Sequence, residues 1–131
     1  MVGEITRTGI KDLKPGSFVI IDDTPCRVEK IQVSTSGKHG ASKVRIEAMG
    51  LLDDRRRSMI ARSHEEVYVP IILKKQAQVL AVVGDKAQLM DLTTYETIEL
   101  NIPEEIKEKV QPGGEIAYFE VLGIRTLKQL K

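Results

Sequence analysis

The chain has 131 residues, the size of one domain or two small ones, and its 20 basic and 19 acidic residues leave a formal charge of +1. With 41% hydrophobic and 30% charged residues it reads as a soluble globular chain, neither disordered nor membrane-spanning. Phe18, Tyr68, Tyr95, Tyr118 and Phe119 are too few rings for a nucleic-acid module built on stacking, and a lone Cys26 excludes an internal disulfide and a cysteine-rich zinc site. The longest apolar stretches, Val67 to Leu73 and Val79 to Val83, fall far short of a membrane span. An early acid and no apolar h-region at the start give no signal peptide, so a cytoplasmic protein with no membrane partner is expected.

Apolar residues recur mostly with period two. Ser17–Ile21, Cys26–Val33, Lys43–Ala48 and Glu66–Val69 are predicted strands. Pro15-Gly16, the run from Asp22 to Pro25, a Ser/Thr/Gly loop over 34–42 and Asp53-Asp54 separate them as turns. The alternation ends at Val69 and restarts beyond Pro70, with strands over Ala77–Val83, Ala87–Leu92, Thr94–Leu100 and Glu115–Leu122. Gly84-Asp85 reads as a hairpin turn. Only Pro103–Val110 suits a short helix, with proline at its first position and acids in its first turn. The expectation is an all-β chain of two small barrels, residues 1–70 and 71–131, cut near Pro70 because proline cannot donate to a central strand.

Catalytic signatures fail on their spacing. Gly37-Lys38-His39 ends like a phosphate-binding loop, but Gln32 stands where the first glycine belongs and His39 replaces the required Ser or Thr. His64-Glu65 begins a zinc-protease pattern whose second histidine position is Tyr68. The paired acids at 22–23, 53–54, 65–66 and 104–105 sit at turns or in a helix's first turn, where they are solvated. No nucleophile meets a base and no metal site forms, so the chain is not expected to be an enzyme.

Charge is uneven along the chain. Nine basic residues (Arg27, Lys30, Lys38, Lys43, Arg45, Arg55, Arg56, Arg57, Arg62) against Glu29, Glu47, Asp53 and Asp54 leave +5 over residues 27–62. Such a window suits phosphate contact and salt-sensitive RNA binding, or else a solvated hairpin face. Lys43, Arg45, Arg55, Arg56 and Arg57 are the candidate RNA contacts. The arginine run over 55–57 reads either as a hairpin tip on RNA phosphate or as a solvated turn, and Tyr95 as barrel packing. Cys26, on a strand, reads as core.

The segment from Ser34 to Lys43 is small and polar, lies between two strands, and holds no acid; Gly37 and Gly40 bracket Lys38 and His39. Gly37-Lys38-His39-Gly40, with Ser34 before it and Lys43-Val44 after it, resembles the hypusine loop of the translation factor 5A family, relatives of bacterial elongation factor P. Asp12-Leu13-Lys14-Pro15-Gly16-Ser17 and Pro25-Cys26-Arg27-Val28 look like that family's first hairpins. Gln88 to Leu92 and Thr94 to Thr97 look like its second domain, so the resemblance spans nearly the whole chain. The family usually shows Ser-Lys-Thr or Ser-Lys-Pro before the glycine, where this chain has Ser34-Thr35-Ser36, and Ala-Lys where it has Ser42-Lys43.

The resemblance implies an N-terminal SH3-like barrel and a C-terminal OB-fold with one short helix. It implies that Lys38, in a loop with Ser36, Gly37, His39 and Gly40, carries hypusine or deoxyhypusine. The aminobutyl group would come from spermidine through deoxyhypusine synthase, with no other cofactor. The implied partner is the ribosome, both rRNA and peptidyl-tRNA, and the implied task is positioning that tRNA so that proline runs and other stalling sequences are joined. From the residues alone, a general two-barrel RNA-binding or RNA-chaperone protein with an unmodified Lys38 stays open as the alternative.

Overall fold

The computed structural model describes residues 4–35 and 42–130, and the chain divides into two compact units, residues 4–71 and 72–130. The first holds β1 (Ile5–Gly9), β2 (Phe18–Ile21), β3 (Thr24–Ser34), β4 (Lys43–Gly50), β5 (Arg56–Arg62) and β6 (Glu66–Pro70). β2 to β5 form an antiparallel sheet in chain order, and β1 pairs with β6. Its core is the inward alternation of these strands, with Val19, Val28, Val44, Ile46 and Ala48 buried together.

Ile21 opposes Thr24 in a two-residue hairpin whose central residues, Asp22 and Asp23, both have positive φ, the backbone of a type I′ turn. β3 therefore starts at Thr24, two residues before the predicted Cys26. Pro25 has no N–H to donate, but its carbonyl still accepts the Leu51 amide at 2.9 Å.

The second unit holds β7 (Leu73–Val83), β8 (Lys86–Asp91), β9 (Thr97–Asn101), β10 (Glu115–Val121) and β11 (Ile124–Thr126). The strands lie in the order β11-β10-β7-β8-β9, and β11 curls back toward β9. This is the five-stranded Greek-key barrel of an OB-fold. Ala77, Val79, Leu89, Ile98, Tyr118 and Leu127 are in its core. The predicted helix is a 3₁₀ segment over Glu104–Lys109 instead of an α-helix, with Pro103 as its N-cap and only Ile106 buried. Six residues with one apolar anchor gain too little burial to lengthen it.

Two strands of the first unit go beyond the sequence expectations. β1 alternates weakly, with Thr6 and Arg7 exposed, and β5 carries Arg57 at an inward position. The expected Thr94–Leu100 strand begins only at Thr97, because the Asp91 carboxylate accepts the amides of Thr93 (2.7 Å) and Thr94 (2.9 Å) and holds this stretch as a turn. Tyr95 in that turn has φ of +62° and is 70% exposed, so the expectation that it packs into the barrel is overturned.

Candidate functional site

β3 and β4 are the arms on which the Gly37–Gly40 segment is strung. They pair from Cys26 opposite Gly50 up to Ser34 opposite Lys43, with a bulge at Glu29 where the register shifts. The inward residues Val28, Val44, Ile46 and Ala48 anchor this ladder in the core, so its upper end is held by burial as well as by backbone hydrogen bonds. Lys38, Ser36, Gly37, His39 and Gly40 belong to the connection between the arms and lie outside the described residues.

A second turn buttresses the base of that connection. The Ser63 amide donates to the Ser42 carbonyl at 2.8 Å, and Lys43 stands opposite Arg62 on β5. The turn is closed by the Glu65 amide on the Arg62 carbonyl (3.0 Å) and by the Arg62 amide on the Glu65 carboxylate (3.2 Å). It is tied to the start of the chain by the Ile10 amide on the Glu65 carbonyl (3.0 Å). His64, which failed as a zinc ligand on spacing, is exposed in this turn.

Of the predicted RNA contacts, Lys43 and Arg45 share the outward face of β4, exposed and two residues apart. The arginine run does not form one patch in the fold. It opens β5 instead of capping a hairpin, and strand alternation sends Arg56 outward and Arg57 inward. Arg56 reaches Glu29 at 3.0 Å. The Arg57 guanidinium forks onto Asp53, at 3.1 Å to Oδ1 and 2.8 Å to Oδ2, and only Arg55 remains in the turn ahead of the strand. The Arg57 fork, with the Arg55 amide, holds the Asp53 carboxyl down at about 2. Gly50 makes room for this pair, since a Cβ there would lie 2.0 Å from Asp53 Oδ1 and 2.7 Å from Arg57 Nη1. Cys26 is fully buried opposite Gly50; burial pushes its thiol up despite the neighbouring Arg57.

Arg62 was counted in the basic window but not among the candidate RNA contacts, yet it stands directly opposite Lys43. The signal that would have found it is the pairing register of β4 with β5, which is invisible until β5 is recognised as a strand. In the second unit, Asp91 is the buried carboxylate. Besides the two threonine amides it accepts the Tyr118 hydroxyl, and these donors hold it down at about 2, while burial and Asp91 raise the Tyr118 phenol. This is a structural clamp on the β8–β9 turn. Among the described residues no cluster of histidine, cysteine and acidic side chains could hold a metal ion, and no helix is long and apolar enough to cross a membrane.

Comparison with known proteins accounts for this arrangement. Residues 6–64 match the family profile described as Translation initiation factor 5A-like, N-terminal. Translation initiation factor 5A of Archaeoglobus fulgidus is 47% identical over 121 residues, covering 92% of this chain and 94% of that protein. The Pyrococcus furiosus factor of the same name is 45% identical over 134 residues, covering 99% and 97%. The solved structure titled eukaryotic translation initiation factor 5A from Methanococcus jannaschii superposes with a TM-score of 0.84 at 43% identity, over 93% of this chain and 91% of that one. A barrel carrying Gly37-Lys38-His39-Gly40 between its two longest arms, an OB-fold after it, and such identity across nearly the full length make this chain a member of the translation initiation factor 5A family, a translation factor and not an enzyme.

Proposed function

We propose that this translation factor works on the ribosome through Lys38, extended by an aminobutyl group, which steadies the acceptor end of the peptidyl-tRNA and speeds peptide-bond formation at proline runs and other stalling sequences. The observation that carries the reading is the placement of Gly37-Lys38-His39-Gly40 in the connection between β3 and β4, the ladder with the most residues anchored in the first core. A lysine there is a cation on an extendable stem. In the modification the Lys38 amine takes the four-carbon aminobutyl group of spermidine. The proton it loses leaves with the remaining three-carbon diamine, and deoxyhypusine synthase supplies the NAD through which the transfer runs. The side chain gains a second amine and keeps the first, so charge and reach both grow. The factor itself makes no bond in the substrate; it restricts the orientation of the tRNA end, a proximity effect.

The test is co-expression of the full chain with deoxyhypusine synthase, spermidine and NAD, followed by intact-mass measurement and by proline-run synthesis on reconstituted ribosomes. The expected result is one aminobutyl group, absent from Lys38→Arg, with stimulation by the modified chain alone and an unchanged fold in the variant. Stimulation by Lys38→Arg, or by unmodified protein to the same extent, would overturn the reading in favour of a general RNA-binding role.

A further inference from the structure

The outward face of β3, β4 and β5 carries an organised set of charges at the end next to the Ser34–Lys43 rung. Ser34, Lys43 and Arg62 form the first row across the sheet, Gln32, Arg45 and Ile60 the second, and Lys30, Glu47 and Ser58 the third. The first two rows hold three cations and no acid. In the third, Lys30 stands opposite an acid, Glu47.

Among the described residues Lys43, Arg45 and Arg62 make no side-chain ion pair, whereas Arg56 and Arg57 at the other end of β5 are engaged by Glu29 and Asp53. The carboxylate of Glu65 accepts the Arg62 amide at 3.2 Å. Neighbouring positions on the face are about 5 Å apart across strands and about 7 Å along one, a grid on which successive phosphates of a nucleic-acid strand can each meet a cation. Ile60, 60% exposed between the two arginines, adds an apolar surface to this face.

We infer that Lys43, Arg45 and Arg62 form a phosphodiester-binding surface that holds an RNA strand against the sheet beside the Lys38 connection, and that the run Arg55–Arg57 is not part of it. The inference rests on the proposed ribosomal role and adds to it a docking residue, Arg62, and a direction of approach. It also explains why the buttress of Ser63 on Ser42 matters: the turn after β5 fixes Arg62 and the base of the connection to each other, so RNA held by one is in register with the other.

The test uses the full chain and a short fluorescein-labelled RNA hairpin, with binding measured by anisotropy across a salt series. Lys43→Gln/Arg45→Gln/Arg62→Gln together is expected to flatten the slope of log affinity against log salt by about 2 to 3, near 0.7–0.9 for each phosphate that is no longer neutralised. Arg55→Gln/Arg56→Gln is expected to leave the slope unchanged. Glu47→Gln removes the acid of the third row and is expected to steepen it, a gain that no unfolded variant can mimic. An unchanged slope in the triple variant, or equal flattening in the Arg55/Arg56 variant, overturns the surface. So does equally tight binding of poly-glutamate, which would mark a site for acidic protein. Proline-run synthesis separates this from the parent reading: a modified wild type that stimulates while the triple variant keeps its slope defeats the surface alone, and a triple variant with a flattened slope beside a modified wild type without stimulation defeats the parent reading alone.

Discussion

Ile46 sits on β4 with its side chain fully buried, facing the core while its neighbours Arg45 and Glu47 face outward. Replacing it by alanine removes three carbons from the centre of the first unit without touching the charged face. At about 0.8 kcal/mol for each buried carbon the transfer loss is about 2.4 kcal/mol. The cavity left in a ladder paired on both sides, which collapses poorly, brings the total to roughly 3–4 kcal/mol. A unit of 68 residues has only about 3–10 kcal/mol in all, so Ile46→Ala takes a third or more of it. Ile46→Val removes one carbon and should cost about 1 kcal/mol, or roughly 4–8 °C in the midpoint of a domain this size. The assay is a heating series followed by amide NMR, in which residues 4–71 and 72–130 report separately. Resonances of 4–71 are expected to vanish first, in graded order for valine and alanine, with those of 72–130 keeping their wild-type midpoint. Joint loss of both sets at one temperature would refute the division into two units. A valine variant as damaging as alanine would refute the burial argument.

Asp91 supplies a pH test. Its carboxyl is held below the ordinary 3.8, at about 2, by the Tyr118 hydroxyl and the Thr94 and Thr93 amides, so its stabilisation is fully present above pH 3.8 and is lost as pH falls toward 2. Urea midpoints of the second unit are expected to drop across that interval, and Asp91→Asn to lower the neutral-pH midpoint while flattening the drop; an equally steep drop in the variant would locate the titration elsewhere. Gly50→Ala places a Cβ within 2.0 Å of Asp53 Oδ1, so it should lower the midpoint of the first unit. In an Asp53→Ala/Arg57→Ala background the same change is expected to be silent or mildly stabilising, since φ at Gly50 is not in the left-handed region, and a loss of equal size in both backgrounds would show that the clash is not with the pair.

Alternating apolar residues and turn chemistry were sufficient, from sequence, for the all-β class and for most strands. A strand buried on one face writes its period directly into the chain, as Lys43 to Gly50 does with four inward positions out of eight. The candidate modified lysine was legible for a different reason, because the contiguous run Gly37-Lys38-His39-Gly40 resembles a known family's loop and needs no partner elsewhere in the chain to be noticed. What local pattern could not carry is anything decided by pairing. β5 hid behind Arg57, whose inward place is tolerable only because Asp53, four residues earlier, and the bare Gly50 backbone receive it. Tyr95 looked like a core aromatic until the Asp91 carboxylate, itself held by Tyr118 from another strand, bent its segment into a turn. Arg62 and Lys43 lie 19 positions apart in sequence and became neighbours only through the register of β4 with β5. Sequence determined which residues were apolar, small or charged; tertiary structure decided which charges are engaged and which stand free, because ion pairing and register depend on distances that only the folded sheet sets.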